Sequence, residues 1–514
     1  MKTYHLLLPL LACTVPMNVS AGNNYVVEEA THDALVTAIG KCTSTNPNDP
    51  DMVTFCIKDN NKIALTKNIA LGSKAIIIDG FNNATKNYIV LDGSASGRIF
   101  SNEPGANVEL KNLKLTGCSN IVWPITGGAN TNVFLNQCDF YDNDGSTKSN
   151  NGGAIRCNGA SLKVYHCNFS NNSCGGTYGG GAICLYNNTE FTTNLEVEGT
   201  SFVNNSNIIN NDKNTTLGGG AILIYNLSSS ETSIKASIKN STFYGNSTKY
   251  RGGSVYVTNE NTTKDVTVEF INNTISGNSA VNNGGGLCFF GKANTKVNIA
   301  LINNLITNNE LNGKVNNFGW YNLNERVFIT AYNNIVTEQG AFYNKFVNVD
   351  TPNGNQLIES KTLIYKEVQE VEVGSAKLKL DLPVLEGGFY KVAPLCEGSL
   401  ASGAGIATLE GYTIPTKDAA GNTRPAVPAV GAMEISNNLP TSVDGVSSTE
   451  MKLNKIGNQL VVNGIESGVI NVYNLLGELV LSSSIDETKT VSIESLSNGI
   501  YVANIESVSF KFIK

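Results

Sequence analysis

The sequence predicts an all-β protein, a right-handed parallel β-helix solenoid followed by a small C-terminal β-sandwich. Three observations carry that expectation. A glycine pair followed by a small or apolar pair recurs as Gly152-Gly153-Ala154-Ile155, Gly180-Gly181-Ala182-Ile183 and Gly219-Gly220-Ala221-Ile222, with degenerate copies at Gly252-Gly253-Ser254-Val255 and Gly285-Gly286-Leu287-Cys288. Between them recurs an apolar anchor with Asn three positions on: Phe140/Asn143, Phe169/Asn172, Phe202/Asn205, Phe243/Asn246, Ile275/Asn278 and Ile306/Asn309. Past residue 452 the repeat is replaced by closely spaced, alternating apolar strands with turn residues between them.

Each anchor has apolar residues seven and five positions upstream: Val133 and Leu135, Leu162 and Val164, Leu195 and Val197, Ala236 and Ile238, Val268 and Phe270, Ile299 and Leu301. A spacing of two is strand periodicity. The wider step to the anchor implies a bend into a second strand with the same inward face, and the glycine segment supplies a third. Anchors fall 29, 33, 41, 32 and 31 residues apart, as expected of a solenoid whose coils carry insertions of varying length. Leu115 and Ile335 extend the series without the Asn. The recurrent Asn suits a left-handed corner and a stacked amide ladder, and the glycine pair suits a bend where coils pass closely.

These marks resemble the repeats of polymorphic outer-membrane proteins and related pectin-lyase-like β-helix proteins. Residues 76–80 (IIIDG) and 89–93 (IVLDG) resemble the first coils of that group. The resemblance covers about residues 76–345. It implies a fold that serves polysaccharide lyases, glycoside hydrolases, adhesins and autotransported surface proteins alike, so function has to be argued from the site.

The N-terminus has the form of a secretory signal: Lys2, a short apolar run at 6–11, and Val19-Ser20-Ala21 as small cleavage residues, which puts the cut between Ala21 and Gly22. An alternative is a lipoprotein signal, because Leu10-Leu11-Ala12-Cys13 loosely resembles a lipobox. No later stretch reaches the roughly 20 apolar residues that span a bilayer. Net charge is −7 and only 15% of residues are charged, which argues against a nucleic-acid partner. The expected parts are a cap region at 22–75, the β-helix at 76–350, last coils and an end segment at 351–436, a linker at 437–451 and a terminal domain at 452–514.

Within the end segment, SLASGAG, then Asp418 to Pro425, then Val430-Gly431-Ala432-Met433-Glu434 resemble the close of the choice-of-anchor Q group of surface proteins. A buried Asp418–Arg424 pair closing the last coil is expected there. In the tail, residues 472–480 (VYNLLGELV) and 496–501 (LSNGIY), with Tyr473, Gly477, Gly499 and Tyr501 as marks, are similar to the type A sorting domain of the type IX secretion system. That resemblance implies export across the outer membrane, removal of the tail, and a mature protein attached to the surface or released. Its implied partner is the type IX secretion machinery.

Candidate site residues are few. Asp139, Asp142 and Asp144 form the one tight acidic cluster in the coils; they suit solvated turn carboxylates or a lone Ca²⁺ site, and no other cofactor is expected. Phe318-Gly319-Trp320-Tyr321 lies in an insertion, where Trp320 and Tyr321 would either stack on sugar rings or cover the helix end. Ten cysteines follow the signal; Cys42 and Cys56 bracket a loop and are expected as a disulfide, whereas Cys138 and Cys167 share one coil register and are expected as stacked thiols or a disulfide. His32 and His166 lack a sequence partner that would make either a base. The function expected is a non-catalytic adhesin or a protein binding host or environmental glycans or proteins; the alternative is a polysaccharide lyase or glycoside hydrolase.

Overall fold

The structure, a computed structural model, describes residues 22–118, 131–146, 151–208, 217–292, 294–321, 326–336, 363–364, 401–434, 452–456, 458–463, 468–474, 479–485, 489–497, 500–505 and 508–514. The signal with its Ala21 cleavage residue, the linker, Gly477 and Gly499 lie outside them. The chain divides into two units, 1–436 and 437–514.

The first unit is a parallel β-solenoid of about nine turns. Each central coil is made of four strands rather than the expected three. In one coil these are Ser161–Tyr165, Asn168–Ser170, Ser173–Cys174 and Ile183–Asn187. Each pairs in parallel with its equivalent in the next coil: Leu162 with Leu195, Phe169 with Phe202, Cys174 with Asn207, Leu185 with Ile224. The unexpected third strand is two residues long, too short to leave a period in the sequence. Stacking also starts earlier than residue 76, because Asn24–Val27 pairs with Asp51–Phe55, and that strand with Ala75–Asn82.

The core is the inside of the stack. Both upstream apolar residues of every anchor are buried, and so are the anchors. Phe140, Phe169, Phe202 and Phe243 lie one over another, with ring centroids 4.7, 5.0 and 4.7 Å apart and planes within 6° of parallel. Phe202→Leu removes two of these ring contacts and part of the buried area, and should cost about 2 kcal/mol. Urea unfolding of the variant against the wild-type chain measures it.

One end of the core is closed by α1 (His32–Lys41), which Thr31 caps by accepting from the Ala34 N–H at 3.2 Å. His32, Leu35, Ala38 and Ile39 make its buried face. Spacing of three and four residues puts them on one side, so α1 covers apolar rungs that would otherwise meet water.

The Asn residues three past the anchors do form a ladder. Nδ2 of Asn143 donates to Oδ1 of Asn172 at 2.8 Å, and the series continues through Asn205, Asn246 and Asn278 to Asn309 at 2.8–2.9 Å. Each amide also donates to the carbonyl of an anchor one coil back, as Asn172 does to Phe140 at 2.9 Å. The left-handed conformation, however, belongs to the residue before: Asp142, Asn171, Asn204 and Asn308 have φ of 53–55°, and glycines take the intervening coils. A corner residue turned outward lets the next side chain point straight into the core.

In the glycine pair the two positions have separate duties. Gly180 has φ +75°, and a Cβ on Gly181 would collide with the carbonyl oxygen of Gly220 in the next coil. In the last copy the equivalent pair is Gly284-Gly285, one residue earlier than the sequence suggested, since Val255 pairs with Leu287.

Residues 401–434 pack against the outside of the described stack. They run across its side as a strap over the corners of successive coils, where left-handed Asn residues hold them: Asn240 donates to the Lys417 carbonyl at 2.8 Å, Asn303 to Ile406 at 2.8 Å and Asn333 to Ala404 at 3.2 Å. Ile414 is buried against Ile271, Ala300 and Ile302 on the outside of the solenoid, with Ile406, Leu409 and Tyr412 packed beside them. Arg424 finds a different partner from the one expected. Its Nη1 meets Glu434 Oε1 at 2.5 Å and its Nη2 donates to Asn240 Oδ1 at 2.8 Å. Asp418 instead caps a turn, accepting from the N–H groups of Ala420 and Asn422 at 2.9 Å.

The second unit is small and antiparallel. One sheet pairs Gly468–Tyr473 with Leu479–Ile485 and with Ile500–Ile505, which pairs with Val508–Ile513; the other pairs Lys452–Ile456, Gln459–Asn463 and Thr490–Ser492. Leu460, Val462, Ile470, Val472, Ala503 and Ile505 meet in one apolar core.

Candidate binding face

Along the first and longest strand of each coil, inward apolar residues alternate with outward ones. The outward positions stack into columns that a ligand lying along the solenoid would meet. On four successive coils one column reads Phe134, Lys163, Glu196 and Ser237, and its neighbour reads Asn136, Tyr165, Glu198 and Lys239. These side chains come from positions six and four before each anchor, between the apolar pairs. That offset is their signal in the sequence, and the stronger periodicity of the inward residues masks it.

The face has a definite local chemistry. The rings of Phe134 and Tyr165 meet edge to face, with centroids 5.1 Å apart, and both are half-buried. Lys163 Nζ lies 3.4 Å from Glu196 Oε2. Burial raises the Tyr165 phenol above its usual range, and a hydrogen bond to Glu196 adds to the shift. Glu198 is also pushed up by burial; Lys239 opposes the shift, and Glu196 reinforces it. Glu269, two coils beyond Glu196 in the same column, is raised by burial as well. The result is an aromatic pair beside a row of half-buried or exposed carboxylates.

The three acidic residues expected as a cation site do not converge. Asp139 accepts from Asn168 Nδ2 at 2.7 Å, Asp142 from Asn171 Nδ2 at 3.0 Å and Asp144 from Ser173 Oγ at 2.6 Å. Each thus stacks on its own equivalent in the next coil. Hydrogen bonds from Ser146 and Ser173 hold the Asp144 carboxyl below its usual range. Among the described residues no group of three His, Cys, Asp or Glu is placed to hold a metal ion.

Trp320 lies on the edge of the solenoid's last described glycine-segment strand. It pairs with Phe289, an inward position, and packs half-buried against the solenoid core. Tyr321 pairs with Phe290 in the outward register, and its side chain lies outside the described set. Outward positions of that strand face form a satellite cluster instead: Tyr186, Tyr225 and Tyr256 are buried, and Tyr178 packs edge to face on the first two at 5.4 Å.

Cys42, Cys56, Cys138 and Cys167 are all free thiols in the structure. Cys42 ends α1 and turns its Sγ toward the Ala38 carbonyl at 3.6 Å. His166 is a left-handed corner residue whose imidazole lies over Gly199, and burial holds it below its usual pKa. In the second unit, Tyr501 is buried and donates to the Ser497 carbonyl at 2.9 Å, whereas Tyr473 is half-buried.

Residues 453–514 match the family of secretion system C-terminal sorting domains. The tail marks the chain as cargo of type IX secretion, bound for release or for the outer surface. No helix among the described residues is long and apolar enough to cross a membrane. None of the curated proteins matches the chain.

Proposed function

We propose that this type IX cargo is a non-catalytic surface protein that binds glycans along the outer face of its longest strands. The observation that carries the reading is the half-exposed Phe134–Tyr165 pair beside Lys163 and Glu196. Aromatic edges and faces take up the apolar side of a sugar ring, while charged neighbours hydrogen-bond its hydroxyls. Parallel stacking supports it further, because it sets the outward side chains of successive coils about 4.8 Å apart in a line that an extended chain can follow.

Retention of residues 22–436 on immobilised neutral and acidic polysaccharides tests the proposal. The double variant Phe134→Ala/Tyr165→Ala should lose about tenfold in affinity, the loss expected of one good aromatic contact. Its circular dichroism and melting should stay close to wild type, since both side chains sit outside the core. Unchanged retention would sink this face as the site.

The second reading, glycan cleavage, draws on Glu196 and Glu198. Two residues apart on one strand face, their Cα atoms stand about 7 Å apart, a spacing that lets two carboxyl groups adopt the roughly 6.5–9.5 Å separation of an inverting acid–base pair. Product release that vanishes in Glu198→Gln while retention persists would favour the enzyme. Retention with no product from any polysaccharide favours binding alone.

A further inference from the structure

A second ladder runs inside the stack, one corner away from the Asn series. At each rung the side chain accepts from a backbone N–H one coil earlier. Cys138 N–H donates to Cys167 Sγ at 3.4 Å, Cys167 N–H to Thr200 Oγ1 at 3.3 Å and Thr200 N–H to Ser241 Oγ at 3.2 Å. Asn273, Asn304 and Asn334 then carry the same bond at 2.9–3.0 Å. Oxygen serves every rung but the first, and sulfur is a weak acceptor. Hydrogen bonding alone therefore gives no reason for two successive cysteines.

Their placement gives another. Strands on both sides keep strict register, with Asn136 opposite Tyr165 and Asp139 opposite Asn168, so residues 138 and 167 occupy equivalent rungs. Neighbouring parallel strands lie about 4.8 Å apart, inside the roughly 4.4–6.8 Å window of Cα separations that a disulfide spans. Both side chains are fully buried. We propose that Cys138 and Cys167 are joined in the exported protein by a disulfide that staples two successive coils.

The chemistry is thiol–disulfide exchange. The thiolate of one cysteine attacks the disulfide of an oxidant, a dithiol–disulfide oxidoreductase or a small-molecule disulfide in the export compartment, and expels one of its thiols. The second cysteine attacks the mixed disulfide and expels the other. The pair loses two protons and two electrons, and the oxidant leaves as two thiols. Burial and the neighbouring Cys138 hold the folded Cys167 thiol well above its usual pKa, so exchange belongs to the interval before the two coils close.

The test uses protein collected after export, with free thiols alkylated in denaturant at harvest and no reductant. Peptide mapping should recover the segments around Cys138 and Cys167 as one cross-linked species, two mass units lighter than the sum of the reduced peptides. Separate alkylation of both cysteines, or either one bridged elsewhere, would overturn the proposal. The variant Cys138→Thr/Cys167→Thr keeps an acceptor at each rung, in the manner of Thr200. It should melt several degrees below the oxidised wild type and together with wild type refolded in reductant. Equal melting of variant and oxidised wild type would also count against a staple.

Discussion

Arg424→Met is expected to loosen the strap at 401–434 and to cost about 3–5 kcal/mol, the penalty for removing one partner of a buried ion pair. The guanidinium is almost wholly enclosed, and its loss strands several acceptors at once. Glu434 keeps a carboxylate with only the Ala429 N–H to serve it, at 2.9 and 3.0 Å. Asn240 Oδ1 and the Gly431 carbonyl lose their donor, and the Ala432 carbonyl is left with the Ala419 N–H alone, at 2.8 Å. Arg424→Lys should recover only part of this, because one ammonium cannot reproduce a planar fork of five donors. Limited proteolysis is the direct measurement. Cleavage should concentrate within 401–434 in the Met variant while the coils stay resistant.

Asn205→Ala should rank close behind, at about 3–4 kcal/mol. Its carboxamide accepts from the Asn172 N–H at 3.1 Å and Nδ2 at 2.9 Å, and it donates to the Phe169 carbonyl and to Asn246 Oδ1 at 2.9 Å. Water cannot replace any of these bonds in the closed stack. Asn205→Asp sharpens the test. An ionised carboxylate would face two acceptors there, so its pKa must rise, and the protonated acid that can donate is the tolerated form. Stability should accordingly be greatest at low pH and fall as pH rises through the raised pKa. A urea series for Asn205→Asp at several pH values that shows the reverse slope would contradict the assignment of donor and acceptor along the ladder.

Much of this architecture was legible because it repeats. Phe140, Phe169, Phe202 and Phe243 announce a shared environment, and residues seven and five before them give strand alternation without any structure in view. What escaped was either too short or too distant. The two-residue strand Ser173–Cys174 leaves no period. Asn172 and Asn171 are both plausible corner residues by composition, and only the backbone tells which one takes φ near 55°. Arg424 sits six residues from Asp418 and ten from Glu434, yet the fold of the strap, not proximity in sequence, selects Glu434. Asp139, Asp142 and Asp144 cluster in sequence, and the fold gives each of them to a separate column. Tyr165, Glu196 and Lys239 are far apart in sequence and meet only because coils of unequal length are brought into register.

The strap also changes how the solenoid bears a load. A pull along the stacking direction loads coil boundaries in series, and such an array parts one boundary at a time, starting with the weakest. Across the corners at Asn240, Asn303 and Asn333, a second run of chain lies in parallel with those boundaries. There, tension must be shared between the strand ladders and the strap, so rupture should begin in the unstrapped coils. That arrangement makes the C-terminal coils the stiffer part and the earlier coils the part that yields.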